Sequence, residues 1–520
     1  MDLPCNSRYA SDSNVHTHSR LGPAGHVCTE TRADSTECSM AELSWYLIPI
    51  TFIMAALVAG HALLHKRDPR AALGWVAVCL TFPVAGPILY YIFGINRVRR
   101  SALRLREEAL AQQPHGRGWL HGGTERFTPV GALDVDFIPP RYREFERIGR
   151  AATGMPLCGG NCIEPLHNGE GAYPRMLEAI NNAVATVYLS TYIMETGPLG
   201  RAFVDALSAA VKRGVDVRVL VDGVGEKYSW PRASSLLKKA GVPVAVFLPP
   251  KLFPPQLSIN LRNHRKVLVT DGITGFTGGM NIGRRHMAES DNPRRVTDLH
   301  FRFMGPVVAQ LQGAFLEDWG FATGKYDAPL TVHEQCEGDC LCRVITDGPD
   351  NEFDPLASVL IAAVSTARRS VRIMTPYFLP SRDFISALQS AVLRGVDVRI
   401  ILPAKNNLPF VHWATRNLLW ELLQAGVRVF YQPPPFCHTK LMVADGMYVH
   451  VGSANIDPRS LRLNFELTAE VLDMNLGRQM SRHFERIQRA SQEVTLEEVD
   501  GRPLPARLRD AFFWLFSPYM

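Results

Sequence analysis

The chain of 520 residues has a formal net charge of +6, a hydrophobic share of 46% and a charged share of 20%. This length exceeds one compact core and predicts two or three domains, while the hydrophobic share excludes a largely disordered chain. The mild basic bias suits an anionic membrane surface or phosphate ligands and does not require nucleic acid. Ten cysteines are sparse for this length, which predicts no disulfide framework and fits a reducing compartment.

The first forty residues differ in composition from the rest. Residues 1–40 are polar and lack apolar periodicity, so we predict a disordered N-terminal tail. No apolar stretch follows a basic start, which argues against a secretory signal peptide. Met40 directly precedes the first apolar run, and we hypothesise that translation begins there. An intact mass that includes Met1 or Asp2 would reject this hypothesis.

Two apolar runs predict a transmembrane helical hairpin over residues 41–97. The first run, residues 43–64, has 22 residues without Asp, Glu, Lys or Arg, and a helix of that length covers about 33 Å, enough for a bilayer core. The second run, residues 71–95, is equally uncharged, and Pro83 within it predicts a kink. Residues 98–135 contain Gly and Pro without periodicity and predict a linker.

Lysine and arginine counts predict the orientation of this hairpin. The loop between the runs carries three such residues, at positions 66, 67 and 70, and the flank after the second run carries five between residues 97 and 106. The positive-inside rule therefore places both ends of the hairpin, and the region that follows it, in the cytoplasm.

From about residue 136 onward, short β-type runs alternate with helical segments, which predicts an α/β fold. The hexapeptide RGVDVR occurs at residues 213–218 and again at residues 394–399, 181 residues later. In each copy a glycine, Gly214 or Gly395, ends the preceding helical segment. We therefore predict two duplicated halves, residues 136–330 and 331–520, that pack with pseudo-two-fold symmetry.

A short motif repeats inside this duplication. Both copies follow the pattern H-x-K-x4-D-x6-G-x2-N and lie 174 residues apart, with His264, Lys266, Asp271 and Asn281 in the first copy and His438, Lys440, Asp445, Ser453 and Asn455 in the second. An apolar run follows each lysine, which predicts that each histidine lies at the start of a strand. Because residues i and i+2 of a strand share a face, each His and its Lys are expected to project together.

These residue types fit the chemistry of a phosphodiester. Lysines and asparagine amides neutralise the anionic diester, a neutral imidazole attacks phosphorus, and a second imidazole carries the proton of the leaving or incoming oxygen. The two aspartates lie in turns after the strands, where we expect them to bind local backbone groups. An imidazole used in this way needs an orienting carboxylate. Asp298 and Glu466, which follow His264 and His438 by 34 and 28 residues, are the candidates, one for each histidine.

Metal chemistry has little support in the sequence. Cys336, Cys340 and Cys342, with His333 nearby, match no common zinc spacing, and no acidic cluster lies near either motif. We therefore predict chemistry that needs no metal or other cofactor.

The paired motifs resemble the duplicated HKD motif of the phospholipase D superfamily. Further segments are similar to one branch of it, the bacterial cardiolipin synthases, among them KRDPRAALGWVAVCLTFPVAGPILYYIFGINR, NLRNHRKVLVTDG, VGSANIDPRSLRLNFE and the closing LFSPYM. The resemblance covers about residues 41–520 and leaves out the tail. It implies duplicated phospholipase D-type domains behind an N-terminal membrane region, in a multi-pass protein of the bacterial inner membrane.

The resemblance also implies an activity, the condensation of two phosphatidylglycerol molecules into cardiolipin with release of glycerol. His264 would then form a covalent phosphatidyl-histidine, and His438 would move the protons. Lys266, Lys440, Asn281 and Asn455 would hold the phosphate with help from Ser453, whereas Gly279, its counterpart in the first copy, lacks a hydroxyl.

Other activities remain open from sequence alone. A phospholipase D hydrolase, or a transferase using another donor such as phosphatidylethanolamine, would carry the same motifs. A membrane-tethered phosphodiesterase acting on nucleic acid would need a basic groove with interleaved aromatic residues, and no such stretch is present. A binding protein without catalysis is disfavoured because both motifs are intact.

Overall fold

The computed structural model describes residues 34–66, 69–94, 133, 136, 138–250, 261–326, 338–348 and 354–520. Internal contacts divide the chain into two compact units, residues 1–96 and 97–520. Residues 1–33 of the predicted tail, nearly all of the predicted linker, Cys336 and His333 lie outside the described residues.

The N-terminal unit consists of helices packed side by side. The elements are α1 (Asp34–His65), α2 (Pro69–Thr81), α3 (Ala85–Leu89) and a π-helical turn over Tyr90–Gly94. The imidazole Nδ1 of His61 lies 2.9 Å from the Tyr90 hydroxyl, and the Trp75 ring meets the Tyr90 ring edge-on with centroids 5.4 Å apart. Helix α1 begins at Asp34, so the boundary predicted at residue 40 is too late.

The prediction of two spanning helices is only partly supported. Among the described residues, one helix, Ile48–His65, is long and apolar enough to cross a membrane by its length and composition. The second apolar run is divided, because Pro83 lies in the break between α2 and α3 where it cannot donate a helical hydrogen bond. Helix α2 has 13 residues and spans about 20 Å, less than a bilayer core of about 30 Å.

The strands of the second unit that the structure describes form one large sheet and one small ribbon. Their bounds are β1 (Cys158–His167), β2 (Thr186–Thr191), β3 (Asp216–Asp222), β4 (Val244–Phe247), β5 (Val267–Thr270), β6 (Thr274–Gly278), β7 (Val296–Thr297), β8 (Leu299–Met304), β9 (Cys340–Asp347), β10 (Ser370–Met374), β11 (Asp397–Pro403), β12 (Arg428–Gln432), β13 (Phe436–Cys437), β14 (Leu441–Ala444), β15 (Tyr448–Gly452), β16 (Glu466–Leu472) and β17 (Gln492–Val494).

The helices of this unit lie on both faces of the sheet and at its end. Their bounds are α4 (Arg143–Thr153), α5 (Asn168–Asn182), α6 (Pro198–Lys212), α7 (Ala233–Lys239), α8 (Val307–Thr323), α9 (Pro355–Thr366), α10 (Arg382–Leu393), α11 (Pro409–Gln424), α12 (Pro458–Arg462), α13 (Met474–Arg489), α14 (Leu496–Asp500) and α15 (Leu504–Trp514). Gly214 and Gly395 follow α6 and α10 with φ of 86° and 85°, a left-handed conformation that glycine adopts without strain.

The order of strands in the large sheet shows the duplication directly. The first half contributes β4-β3-β2-β5-β6-β8-β1, and the second half repeats this order outward as β9-β16-β15-β14-β10-β11-β12, with β17 added at the edge. The halves meet where β1 pairs antiparallel with β9. This mirrored order is what a pseudo-two-fold relation between two copies of one α/β fold produces.

The two halves share a hydrophobic core and are not independent domains. Phe301 and Phe315 from the first half pack in one buried cluster with Val344, Leu467 and Phe484 from the second. Helix α4 also departs from the predicted boundary, because its Phe145 belongs to the core of the second half although the residue precedes β1 in the chain.

A buried ion cluster lies at this junction. Arg343 on β9 is inaccessible to solvent and donates to Glu470 on β16 and to Glu146 on α4, the latter at 2.9 Å. Gly149 on α4 is required by close approach, since an added Cβ would lie 1.8 Å from the Arg343 guanidinium. The cluster ties α4 and two neighbouring strands together.

The cysteines differ in state. Cys162 is disulfide-bonded, whereas Cys79, Cys158, Cys340, Cys342 and Cys437 are free thiols. The inference of a reducing compartment therefore loses support. In the part of the chain that the structure describes, no three His, Cys, Asp or Glu side chains are grouped so as to hold a metal ion.

Candidate active site

The two motif histidines lie directly before equivalent strands, and each is held by the backbone of the other half. His264 precedes β5, and its N–H donates to the carbonyl of Phe465 at 2.9 Å. His438 precedes β14, and its N–H donates to the carbonyl of Thr297 at 2.8 Å. The ribbon of β13 and β7 adds a second link between the halves at His438. The segments bearing the two motifs therefore converge at the junction of the halves.

Each imidazole binds a carboxylate from the opposite half. The Nδ1 atom of His264 lies 2.9 Å from Oε2 of Glu466, and Nδ1 of His438 lies 2.8 Å from Oδ2 of Asp298. Both carboxylates are buried. When Nδ1 carries the proton and donates it to the carboxylate, the Nε2 lone pair of a neutral imidazole is free to attack.

The two carboxylates have different surroundings. Burial opposes ionisation of Glu466, but the adjacent His264 and Lys266, with hydrogen bonds from His264 and Ser453, lower its pKa to about 2. Burial raises the pKa of Asp298, and Lys440 only partly opposes this. Glu466 is therefore the more firmly ionised partner.

The imidazoles themselves are held neutral. Burial lowers the pKa of His264, an effect that Glu466 partly opposes. Burial lowers the pKa of His438 well below its ordinary value, and the nearby cations Lys440 and Lys266 lower it further. A neutral imidazole is the form that can act as a nucleophile or accept a proton.

The two motif lysines lie at the same centre. The ammonium of Lys440 donates to the carbonyl of His438 at 2.6 Å, and that of Lys266 donates to the carbonyl of His264. Burial lowers the pKa of Lys266 to about 7 and that of Lys440 to about 8, and the positive charge of Lys440 adds to the effect on Lys266. Two buried cations that repel each other form a site for an anion.

The small motif residues differ between the halves for a steric reason. Ser453 is fully buried, and its hydroxyl donates to Glu466. At the equivalent Gly279, an added Cβ would lie 2.4 Å from Asp298 Oδ1, so the shorter carboxylate occupies the space of a side chain. Ser453 was expected to assist at the phosphate; its hydroxyl is instead used to hold the orienting carboxylate.

The two motif asparagines are buried near this centre. The side-chain oxygen of Asn281 accepts from the backbone N–H of Ile193 at 3.1 Å, which leaves its amide N–H groups as donors. The side-chain nitrogen of Asn455 lies 3.1 Å from the Ser460 hydroxyl. Their use at a phosphate remains a prediction.

The motif aspartates lie away from the histidines. Asp271 accepts from the backbone N–H groups of Val184, Ala185 and Thr186 at 2.7 to 3.0 Å. Asp445 binds residues 368–370 in the same way. The sequence predicts local backbone partners, but these belong to segments 75 to 87 residues earlier in the chain. A four-residue strand, about 13 Å long, separates each aspartate from its lysine, so neither aspartate reaches the reacting centre.

Two further side chains at the site were not identified from sequence. The Tyr192 ring meets His264 edge-on with centroids 5.2 Å apart and lies 5.7 Å from the Lys266 ammonium. The His286 ring lies 5.9 Å from that of His438, and its Nδ1 is 3.8 Å from Asp298. The available signals were positional: Tyr192 directly follows β2, and His286 follows Asn281 by the five residues that separate Ser460 from Asn455.

Known proteins share both parts of this chain. Residues 176–319 and 360–488 match the family model described as "Cardiolipin synthase, PLD-like domain", and residues 52–94 match the model "Phospholipase_D-nuclease N-terminal". The major cardiolipin synthase ClsA of Bacillus subtilis is 31% identical over 92% of this chain and 100% of its own length. Cardiolipin synthase A of Pseudomonas putida KT2440 is 31% identical over 91% and 98%.

A solved structure has the same fold at low identity. The phosphatidylserine synthase of Haemophilus influenzae Rd KW20 superimposes with a TM-score of 0.57 at 14% identity, over 74% of this chain and 100% of its own. At this identity the likeness concerns the fold alone. The family match and the full-length relatives identify the chain more narrowly: it belongs to the cardiolipin synthases of the phospholipase D superfamily, which are phosphatidyltransferases.

Proposed function

We propose that this protein condenses two phosphatidylglycerol molecules into cardiolipin and glycerol through a covalent phosphatidyl-histidine. The observation that carries the proposal is the crossed arrangement of the site. Each histidine is oriented by a carboxylate of the other half, and two buried lysines lie at the same centre. Such a site holds one diester and offers an imidazole for attack and another for proton transfer.

The first step forms the covalent intermediate. Nε2 of His264 attacks phosphorus of the donor lipid, a nitrogen–phosphorus bond forms, and the bond from phosphorus to the glycerol oxygen breaks. His438 gives its Nε2 proton to that oxygen, so glycerol leaves as a neutral alcohol. The empty site disfavours a cationic His438, and the negative charge of a bound diester restores its affinity for this proton.

The second step reverses these roles with a new alcohol. A hydroxyl of the second phosphatidylglycerol gives its proton to His438, its oxygen attacks phosphorus, and the bond to His264 breaks. The product is cardiolipin, and both histidines return to their initial states. The choice of His264 as nucleophile rests on the resemblance to the family, because the geometry treats the two histidines alike.

The membrane arrangement is part of the proposal. The helix over Ile48–His65 would anchor the protein in the bacterial inner membrane, and the divided second run would return the chain to the cytoplasmic side. The five arginine residues that follow would then face the cytoplasmic headgroups. Anchoring would keep the active site at high effective concentration of its lipid substrate.

One experiment tests this function. Purified full-length protein is incubated with phosphatidylglycerol labelled in its acyl chains, in the presence of a chelator. We expect labelled cardiolipin and free glycerol in equal amounts. Phosphatidic acid as the main product would replace the transferase by a hydrolase, and loss of activity in the chelator would contradict chemistry without a metal. A parallel incubation with phosphatidylethanolamine tests the alternative donor.

The orienting carboxylates give a first prediction. Glu466→Gln and Asp298→Asn should each lower kcat by about 10²–10⁴-fold with little change in KM, because the amide favours the wrong tautomer of its histidine. Glu493→Gln is the matched control, since Glu493 pairs with Arg428 at the surface. Steady-state kinetics measure the effect, and an unchanged kcat in either variant would contradict the orienting role.

The pKa of Lys266 predicts how anion binding depends on pH. In the empty site this pKa is about 7, so Lys266 loses its proton as pH rises above 7, and the bound anion favours the protonated form. The affinity for dimethyl phosphate, a monoanionic diester, should therefore fall from about pH 7 to about pH 9, with uptake of protons on binding.

Calorimetry in buffers of different ionisation enthalpy measures this proton uptake. Lys266→Arg is the control, because its guanidinium stays charged across the range and should reduce both the uptake and the pH dependence. Equal proton uptake in Lys266→Arg and the unsubstituted protein would assign the effect to another group.

A further inference from the structure

The last helix of the chain carries a row of apolar side chains on its solvent side. Leu504, Leu508 and Phe512 follow one another at intervals of four residues along α15, and Leu515 and Phe516 continue the row. Their exposed fractions are 66%, 62%, 55%, 65% and 46%. We call these five residues the C-terminal apolar face. Large apolar residues grouped in this way on a surface mark a site of interaction.

The helix beneath this face is firmly held. On its other side, the Phe513 ring lies 5.0 Å from the Trp413 ring of α11, and the Arg509 guanidinium lies 4.5 Å from the same ring. Asp510 is fully buried and binds Arg502 and Arg509. The exposure of the apolar face therefore follows from the packing of α15, which points this row outward.

The face also has the form of a lipid contact. Leu508, Phe512 and Leu515 line an open groove of about 660 Å³. Arg507 is exposed on the same helix, between the apolar residues 504 and 508, and the structure gives it no acidic partner among the described residues. An apolar row with an exposed cation is the pattern of a helix that lies in the interface of an anionic membrane.

The face adjoins the active site through the end of the chain. The turn over Ser517–Tyr519 packs against α12, and the carbonyl of Met520 accepts from the N–H of Arg459 at 3.1 Å. Helix α12 begins three residues after Asn455, and its N-cap Asp457 is buried and lies close enough to Lys440 and Glu466 to interact with their charges. A membrane that covers the face would thus lie beside the segment that carries the second motif.

We propose that the C-terminal apolar face docks the catalytic unit onto the anionic bilayer that supplies its substrate. This inference rests on the proposed function, because a lipid substrate requires the site to meet the membrane surface. Docking through five apolar side chains would present the mouth of the site to phosphatidylglycerol in the bilayer. The spanning helix already confines the protein to a bilayer, so the face controls orientation rather than attachment.

A fluorescence measurement tests the contact itself. Full-length Leu508→Trp is reconstituted in vesicles of phosphatidylcholine and phosphatidylglycerol, with and without bromine on the acyl chains. We expect the added tryptophan to be quenched by brominated lipid, after subtraction of the signal of the unsubstituted protein. The matched control is Val184→Trp, which is 82% exposed at the start of β2 and should show no added quenching. Equal quenching of the two variants would overturn the proposal.

A kinetic measurement tests the consequence. The double variant Leu508→Ser with Phe512→Ser should convert long-chain phosphatidylglycerol in vesicles about tenfold more slowly, because docking raises the effective substrate concentration. Its rate on dispersed short-chain phosphatidylglycerol should stay within about twofold, and Val184→Ser should change neither rate. Equal losses on both substrates would overturn the proposal, as would quenching that appears only at high protein density, which would indicate a second copy on the face. Failure of the unsubstituted protein to make cardiolipin would count against the proposed function, and the quenching would still decide docking.

Discussion

Replacing either His264 or His438 by alanine is expected to lower the rate of cardiolipin formation at least about 10³-fold. Each imidazole has its own carboxylate, and neither histidine has a neighbour placed to do its work. The double variant should be little slower than the slower single variant, because the two residues act in one reaction. The conversion of labelled phosphatidylglycerol measures all three rates.

His483→Ala is the control for this pair. His483 lies on α13, beside His167 with ring centroids 5.1 Å apart, and belongs to no motif. Its loss should leave the rate within about twofold, as surface changes away from a site usually do. A comparable loss in His483→Ala would mean that histidine removal harms the fold.

The same variants decide which histidine attacks. In His438→Ala, the labelled phosphatidyl group should accumulate on His264, since no base remains to activate the second alcohol. Acid-labile label located by peptide mapping would show this. Label found on His438 in the His264→Ala variant would reverse the assignment.

Arg343→Met is expected to lower the free energy of unfolding by about 3–5 kcal/mol. The substitution removes the guanidinium that pairs with Glu470 and Glu146 and leaves two carboxylates buried without it. The guanidinium also donates to the carbonyls of Met155 and Phe145, so several buried acceptors lose their donor together. Urea denaturation of the protein in detergent, followed by tryptophan fluorescence, measures the change.

Two variants sharpen this test. Arg428→Met removes an ion pair whose side chains are 45% and 43% exposed, and should cost less than about 1 kcal/mol. Gly149→Ala retains every charge but places a Cβ against the Arg343 guanidinium, and should also destabilise the protein. If Arg343→Met cost no more than Arg428→Met, the buried cluster would not be a support of the junction.

The sequence identified the reacting groups because their chemistry is local. The spacing H-x-K places two side chains on one face of a strand start, and the glycine of G-x2-N is equally local. Gly278 and Gly452 have φ of 153° and 156°, and an added Cβ would lie 2.7 Å from His300 at the first and 2.4 Å from the Leu467 carbonyl at the second. Short-range constraints of this kind appear as repeated letters, and the repeat at two offsets predicted the duplicated α/β fold.

The extent of the second apolar run was less predictable. Its composition is that of a spanning helix, but composition does not show how far a helix continues past Pro83, where a hydrogen bond is lost. The boundaries of the halves failed for a related reason. Helix α4 precedes β1 in sequence, and only long-range packing assigns its Phe145 to the core of the second half.

The sequence by itself determined that two His-Lys sets, two asparagines and two carboxylates belong to this protein's chemistry. Only the tertiary structure decided their pairing, in which His264 meets Glu466 across 202 residues and His438 meets Asp298 across 140. It also decided that Ser453 holds a carboxylate and that Asp271 and Asp445 anchor distant backbone. The physical reason is the pairing of β1 with β9, which joins the halves in one sheet and makes each complete the site of the other.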